Sequence, residues 1–181
     1  MNHELSTSTI IDRYGAAYRL RSAVQKDEPN IRSLVFSVLE EFGLRASHEG
    51  VDQDLFDIDR WYFRDGGRFE LLEDQAGALV GCYGLHPLPT QTNRADSVGQ
   101  RGCELRKMYF DASIRGRGLG RKLVDRAIDI ANRSGFAWIE LETASCLNSA
   151  IALYKLSGFQ VVTDAELSER CDMRMIRRLD C

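Results

Sequence analysis

Apolar positions recur along this chain in two rhythms, one of strands and one of helices. Tyr18-Arg19-Leu20-Arg21-Ser22-Ala23 alternates as a half-buried strand does. Ile31, Leu34, Val35, Val38, Leu39 and Phe42 then fall at helical spacing behind Asp27-Glu28-Pro29. That acidic start with an early proline opens a helix, and Gly43 closes it. Leu55, Ile58, Trp61 and Tyr62 predict a second helix over residues 52–64, stopped by the turn signal Asp65-Gly66-Gly67. Residues 69–73 and 78–85 read as strands joined by hairpin chemistry, Asp74-Gln75-Ala76-Gly77. The polar, proline-bearing segment 86–102 reads as a long loop. A strand at 104–110 precedes a helix whose buried stripe is Leu119, Leu123, Val124, Ala127, Ile128 and Ala131, ended by Ser134-Gly135. Residues 137–142 form the next strand, with Ile139 and Leu141 on one face. Asn148 can cap a short helix running to Gly158, and 159–162 and 171–178 are closing strands.

The order strand, glycine-rich turn, helix, strand in 104–142 is a βαβ unit, normally parallel and right-handed. The early hairpin and the closing strands imply antiparallel pairing elsewhere, so the pattern predicts a mixed sheet with helices on its faces. Nothing repeats and nothing suggests a linker: residues 1–17 read as a flexible leader and 18–181 as a single domain.

Composition narrows the function. The chain has 181 residues, 44% of them hydrophobic and 28% charged, as is ordinary for a globular protein with a real core. A formal net charge of −3 gives no broad electrostatic reason to expect nucleic acid. No apolar run approaches the roughly 20 residues that span a bilayer, and the polar N-terminus lacks the signature of a signal peptide. Cys82, Cys103, Cys146, Cys171 and Cys181 are scattered and form no C-x-x-C pair, so they read as reduced thiols of a cytoplasmic protein. His3, His48 and His86 have no ligand spacing, and no metal is expected.

The densest chemistry lies in Arg115-Gly116-Arg117-Gly118-Leu119-Gly120, with Arg121 following. Alternate glycines let backbone N–H groups converge, and a helix starting there adds its unpaired amides and positive dipole end. This is the make-up of a phosphate cradle. A dinucleotide fingerprint would need a third glycine where Arg121 stands, and a nucleotide P-loop would need Gly-Lys-Ser/Thr.

Arg115-x-x-Gly118-x-Gly120 instead resembles the R/Q-x-x-G-x-G/A signature of GNAT-type N-acetyltransferases. The likeness continues in Glu104-Leu105-Arg106-Lys107-Met108-Tyr109-Phe110, similar to that family's fourth strand, and in 148–159 (NSAIALYKLSGF), similar to its second cofactor motif. It is strongest over 103–163. The resemblance implies a GNAT acyl-CoA N-acyltransferase fold: α/β, with a mixed, mostly antiparallel sheet, a central parallel βαβ unit, splayed fourth and fifth strands and helices on both faces. It implies acetyl-CoA as cosubstrate, its pyrophosphate on the amides of Arg115, Gly116, Arg117, Gly118, Leu119 and Gly120, with Arg121 close by. The pantetheine arm would add like a strand beside Met108, Tyr109 and Phe110, and an N–H near Met108 would polarise the thioester carbonyl. Glu104 is the implied base and Tyr154 the implied acid; Asn148 either contacts the cofactor or caps its helix.

The expected reaction is acetyl transfer to a primary amine of a small molecule or peptide, by direct attack in a ternary complex. The alternative is a CoA-binding sensor without catalysis. Glu40, Glu41, His48, Asp52, Asp54, Asp57 and Asp59 either attract a cationic acceptor or form a solvated face. Trp61-Tyr62-Phe63 either line a pocket or pack in the core. Cys146 lies in sequence beside the cofactor motif, with no histidine near it. Neither a nucleic acid nor a membrane partner is expected; relatives often pair as dimers, which leaves a homodimer open.

Overall fold

Residues 7–90, 99–163 and 167–179 are described by the computed structural model of the chain. Eight strands make one open sheet: β1 (Thr7–Ile11), β2 (Ala17–Ser22), β3 (Arg68–Glu73), β4 (Leu79–Pro87), β5 (Gly102–Phe110), β6 (Trp138–Thr143), β7 (Gln160–Val162) and β8 (Met173–Arg178). Their order across the sheet is β1-β2-β3-β4-β5-β6-β8-β7. The β5–β6 pair is parallel and the other neighbours are antiparallel, so the mixed sheet and its central crossover stand as expected.

Helices cover both faces. α1 (Glu28–Glu41) buries Ile31, Leu34, Val35, Val38 and Leu39 with Phe69, Leu71 and Cys82 of the sheet. Its proline sits in the first turn, and the chain leaves it through Gly43 at φ +68°. On the opposite face, α2 (Leu119–Arg133) sinks Leu119, Leu123, Val124, Ala127 and Ile128 into a core shared with Leu85, Leu105, Ile139 and Leu141. α3 (Asn148–Leu156) adds Tyr154 to the same core. No helix among the described residues is long and apolar enough to cross a membrane.

Four expectations change. Within the stretch expected to be a leader, residues 7–11 are a strand paired along its length with β2; residues 1–6 lie outside the described residues. The strand is rich in β-branched residues but sits at the sheet edge with little burial, so it carries no alternating signal. It also shifts the numbering, so the strands expected as fourth and fifth are β5 and β6. Second, 52–64 is not one helix but two short turns, Gln53–Phe56 and Asp59–Phe63, because Asp52 and Asp54 are drawn inward by buried cations. Third, Asn148 is the first helical residue of α3; Leu147 holds the cap position and no side chain caps the helix. The long loop of 86–102 is shortened by β4 reaching Pro87, and its residues 91–98 lie outside the described residues.

Candidate active site

β5 is where the sheet comes apart. It pairs with β6 only over residues 102–104, opposite 138–140; from there β6 continues beside β8, and among the described residues 105–110 have no strand on that side. On the β4 side the register slips. Cys82 faces Tyr109 and Gly84 faces Arg106, so two steps along β4 match three along β5. The extra residue is Lys107, at φ +54°, a conformation uncommon for a non-glycine side chain. The bulge reverses which face each side chain takes. Cys103 and Leu105 lie in the core under α2, and Met108 and Phe110 pack against that same core. Tyr109 packs against the α1 core instead. The imperfect alternation of 104–110 is thus one inserted residue.

A cleft of about 700 Å³ occupies the opening. One wall is the free side of β5, from Glu104 to Phe110; the other is formed by the end of β6 and by α3 through Asn148, Leu153 and Tyr154. The glycine loop closes one end. Gly116 and Gly118 take φ values of +72° and +83°, which side chains rarely adopt, and Gly118 is the cap of α2. The N–H groups of Gly116, Arg117 and Gly118 donate to no backbone carbonyl among the described residues. The first-turn amides of α2 add to them. Gly120 lets α2 approach α3: a Cβ there would lie 3.1 Å from Leu153 Cδ2.

The arginines of the loop are turned to other work. Arg115 donates from Nε to the Phe110 carbonyl at 2.8 Å and from Nη1 to Glu41 at 2.6 Å. Arg117 donates to Asp12 at 2.8 Å, and it alone of the expected cofactor residues does not line the cleft. Arg121 reaches Asp125 at 2.9 Å in an exposed i,i+4 pair. Such pairs are weak, about 0.3–0.5 kcal/mol, and are easily exchanged. This end of the cleft is thus lined by free backbone amides more than by free guanidinium charge.

Glu104 and Tyr154 both face the cleft. Glu104 accepts from Arg106 Nη2 at 2.6 Å. Tyr154 is buried, its ring 5.8 Å from that of Phe159, and among the described residues its hydroxyl has no protein hydrogen-bond partner. Burial holds this phenol well above the ordinary tyrosine range, so it is neutral at neutral pH.

Sequence reasoning missed the charged chain behind the cleft wall. Asp52, fully buried, accepts from Lys107 Nζ at 2.6 Å, from the Ser47 N–H at 3.0 Å and from both terminal nitrogens of Arg170. Lys107 also donates to the Val51 carbonyl at 2.7 Å and lies 3.1 Å from Asp54. Asp54 accepts from the Tyr62 hydroxyl and lies 3.8 Å from Arg106. Charges thus alternate from Glu104 through Arg106, Asp54, Lys107 and Asp52 to Arg170. Burial works to raise the Asp52 carboxyl, but Arg170 and Lys107 outweigh it and hold it well below the usual carboxylate range. Burial, then the Asp54 charge, pushes Tyr62 far up. One signal was available: Lys107 stands where strand alternation with Leu105 calls for an apolar side chain.

The other candidates separate cleanly. Asp52 and Asp54 are neither solvated nor free to attract a cation. Glu40, Glu41, His48, Asp57 and Asp59 do not line the cleft; Glu41 pairs with Arg115, and His48 stacks on Phe36 at 5.0 Å. Tyr62 is core, with Trp61 and Phe63 packed against it. His86 lies opposite Glu104 across the β4–β5 ladder with Nδ1 2.7 Å from the Trp61 carbonyl; burial, then Arg106, lowers it below the usual imidazole range. Cys82 and Cys103 are buried, and burial pushes the Cys82 thiol up to about 12. Cys146 is exposed at the cleft, and Cys181 lies outside the described residues. Among the described residues no cluster of His, Cys, Asp and Glu could hold a metal ion.

This geometry can be set beside known proteins. The sequence profile of the Acetyltransferase (GNAT) family matches residues 35–159. An uncharacterized N-acetyltransferase of Escherichia coli K12, YjgM, is 34% identical over 166 residues, 88% of this chain and 94% of that one. A GNAT-family acetyltransferase from Staphylococcus aureus Mu50 superposes with a TM-score of 0.77 at 22% identity, over 90% of this chain and 99% of that one. A predicted acetyltransferase from Clostridium acetobutylicum, solved with acetyl-CoA, gives 0.68 at 20% identity, over 83% and 94%. The last two likenesses are of fold.

Proposed function

Because the chain belongs to the GNAT family of acetyltransferases, we propose that this acyltransferase moves the acetyl group of acetyl-CoA to a primary amine, by direct attack with both substrates bound. The observation that carries the reading is the unpaired edge of β5 running from Glu104 to a glycine loop with unpaired amides. An extended arm needs such an edge, and a pyrophosphate needs such a loop. Both fit acetyl-CoA, which supplies an acetyl group activated as a thioester.

The protein's own residues then have distinct tasks. The amides of 115–120, with Arg121 once its exposed pair opens, hold the pyrophosphate. Met108, Tyr109 and Phe110 offer backbone groups to the pantetheine arm, and the Met108 N–H is the donor for the thioester carbonyl. Asn148, on the far wall, contacts the cofactor. Glu104 accepts the proton that an amine carries at neutral pH. As the C–N bond forms and the C–S bond breaks, the nitrogen sheds its second proton to solvent and CoA leaves as the thiolate, toward which Tyr154 donates. A raised phenol is a weaker acid than a thiol, so this is chiefly a hydrogen bond to the developing thiolate. Arg117 supports the loop through Asp12 rather than touching the substrate.

Initial rates of thiol release from acetyl-CoA, measured against varied acceptor, test the scheme. Intersecting lines on a double-reciprocal plot are expected. Parallel lines would indicate an acyl-enzyme, with Cys146 the group to replace first. Absence of acetyl-CoA binding by calorimetry would remove the whole reading.

A further inference from the structure

The cleft wall between the bulge and the C-terminal segment carries paired charges, and the way they are paired restricts the amine that fits. Glu104 and Arg106 lie two apart on β5, ahead of the bulge, so they share a face, and their side chains meet at 2.6 Å. Both line the cleft, with 14% and 28% of their side chains still exposed. The other carboxylates on or behind this wall are committed. Asp52 holds Lys107 and Arg170, Asp54 holds Tyr62, and Glu142 accepts from the Ser168 N–H at 3.1 Å and its hydroxyl at 2.6 Å. Among the described residues Arg106, by contrast, is held firmly only by Glu104, since Asp54 lies 3.8 Å away. Arg170, further along the same wall, has its acid partner on the inner side, fully buried. The wall therefore offers one carboxylate for an ammonium group, directly beside a guanidinium with N–H groups to spare.

Resting on the transferase reading, we propose that the acceptor is a free α-amino acid, its amine at Glu104 and its own carboxylate on Arg106. In such a molecule the nitrogen and the carboxylate are bonded to the same carbon, which matches a carboxylate and a guanidinium in direct contact. Insertion of the zwitterion turns one ion pair into a ring of four alternating charges, with the carboxylate able to take two N–H groups of the planar guanidinium. A polyamine would set its second cation against Arg106 with no free carboxylate to receive it. A peptide N-terminus would bring an uncharged amide to the position where the guanidinium needs an anion.

The test compares free amino acids, the same amino acids as α-carboxamides, and spermidine as acceptors in acetyl-CoA-dependent thiol release. The amine of a carboxamide loses its proton more readily than that of the free acid, so intrinsic reactivity favours the carboxamide. The proposal expects the reverse, with kcat/KM about 100-fold higher for the free acid, the usual scale for a charge-assisted contact in a partly desolvated site. Spermidine is expected to be inert. Arg106→Gln also releases Glu104 from its ion pair, so both acceptors should slow, but the ratio of kcat/KM for free acid over carboxamide should fall at least about tenfold, and an unchanged ratio would count against the proposal. If that variant fails to fold, the acid-to-carboxamide ratio of the unaltered enzyme still decides. Equal use of carboxamide and free acid, preference for spermidine, or turnover of other amines only would overturn the proposal. Those results leave acetyl transfer standing, whereas failure to bind acetyl-CoA in calorimetry would strike the transferase reading itself.

Discussion

A neutral phenol without a protein partner, facing a cleft, has little to do for the fold, and this makes Tyr154 separable from stability. Tyr154→Phe keeps the ring that packs beside Phe159 in the core and removes only the oxygen. Turnover is expected to fall about 100-fold, the lower range for a lost proton donor, with acetyl-CoA affinity changed less than about twofold. Steady-state rates alongside calorimetry check the split; unchanged turnover would remove the donor role. Glu104 differs because its pair with Arg106 ties it to the wall. Without the carboxylate, turnover must draw on amine that has already lost its proton, a small fraction at neutral pH. Glu104→Gln should therefore be most impaired near pH 6.5 and recover toward the unaltered enzyme by about pH 9.5, as the unprotonated amine accumulates. A kcat/KM profile parallel to that of the unaltered enzyme across this range would dismiss the base role.

At the scale of elements, the bulge of β5 depends on groups far away in sequence. Lys107 holds a backbone conformation that favours glycine, and its ammonium is gripped by Asp52 and Asp54 from the turn after α1. Asp52 extends the grip to Arg170, ahead of β8, so three segments of the cleft wall meet at one carboxylate. Asp52→Asn would leave two buried cations short of an anion, a change that typically costs about 3–5 kcal/mol. The expected result is a lower urea midpoint with the slope retained. The Asp52 carboxyl is depressed in the folded state from an ordinary 3.8, so its contribution is complete above that value and is lost as pH falls toward the folded one. Below about pH 4 the unaltered protein should thus lose stability more steeply than the variant, as acid unfolding followed by circular dichroism would show. This cluster also marks where sequence reasoning stops. α1, α2 and the β3–β4 hairpin were legible because each repeats its period over one buried face. The glycine loop was legible because its shape is local, set by consecutive residues whose glycines take positive φ. The segment 52–64 misled because Asp52 and Asp54 look like a helix exterior until Lys107 and Arg170 are brought to them by the fold. β1 was missed for the opposite reason, since an edge strand needs no apolar alternation.

The molecule as a whole places the two ends of the cleft under separate control. Asp12, buried at the turn between β1 and β2, accepts from the N–H groups of Tyr14 and Ala16 at 2.9 Å and from Arg117 of the glycine loop at 2.8 Å. The Arg13 N–H donates to the Arg117 carbonyl at 3.0 Å, so the N-terminal hairpin braces the glycine loop from outside the cleft. At the other end Asp52 braces the wall of Glu104, Arg106 and Arg170. Asp12→Asn keeps the shape of the turn but removes the charge that holds Arg117. It should loosen the loop's amides and weaken acetyl-CoA binding by roughly three- to tenfold, since a misaligned set of donors loses much of its benefit. The acceptor KM should hold within about twofold, because the described partners of Asp12 are Tyr14, Ala16, Tyr18 and Arg117, away from the β5 bulge. Asp52→Asn should show the converse, a raised acceptor KM with acetyl-CoA affinity little changed. In the double variant each effect should persist at its single-variant size within about twofold, as independent sites behave. Calorimetry on acetyl-CoA and initial rates on the acceptor read the two ends separately. An Asp12 substitution that alters acceptor KM as much as acetyl-CoA affinity would mean that the bracing passes through the sheet as one body, and the division of the cleft into two ends would fall.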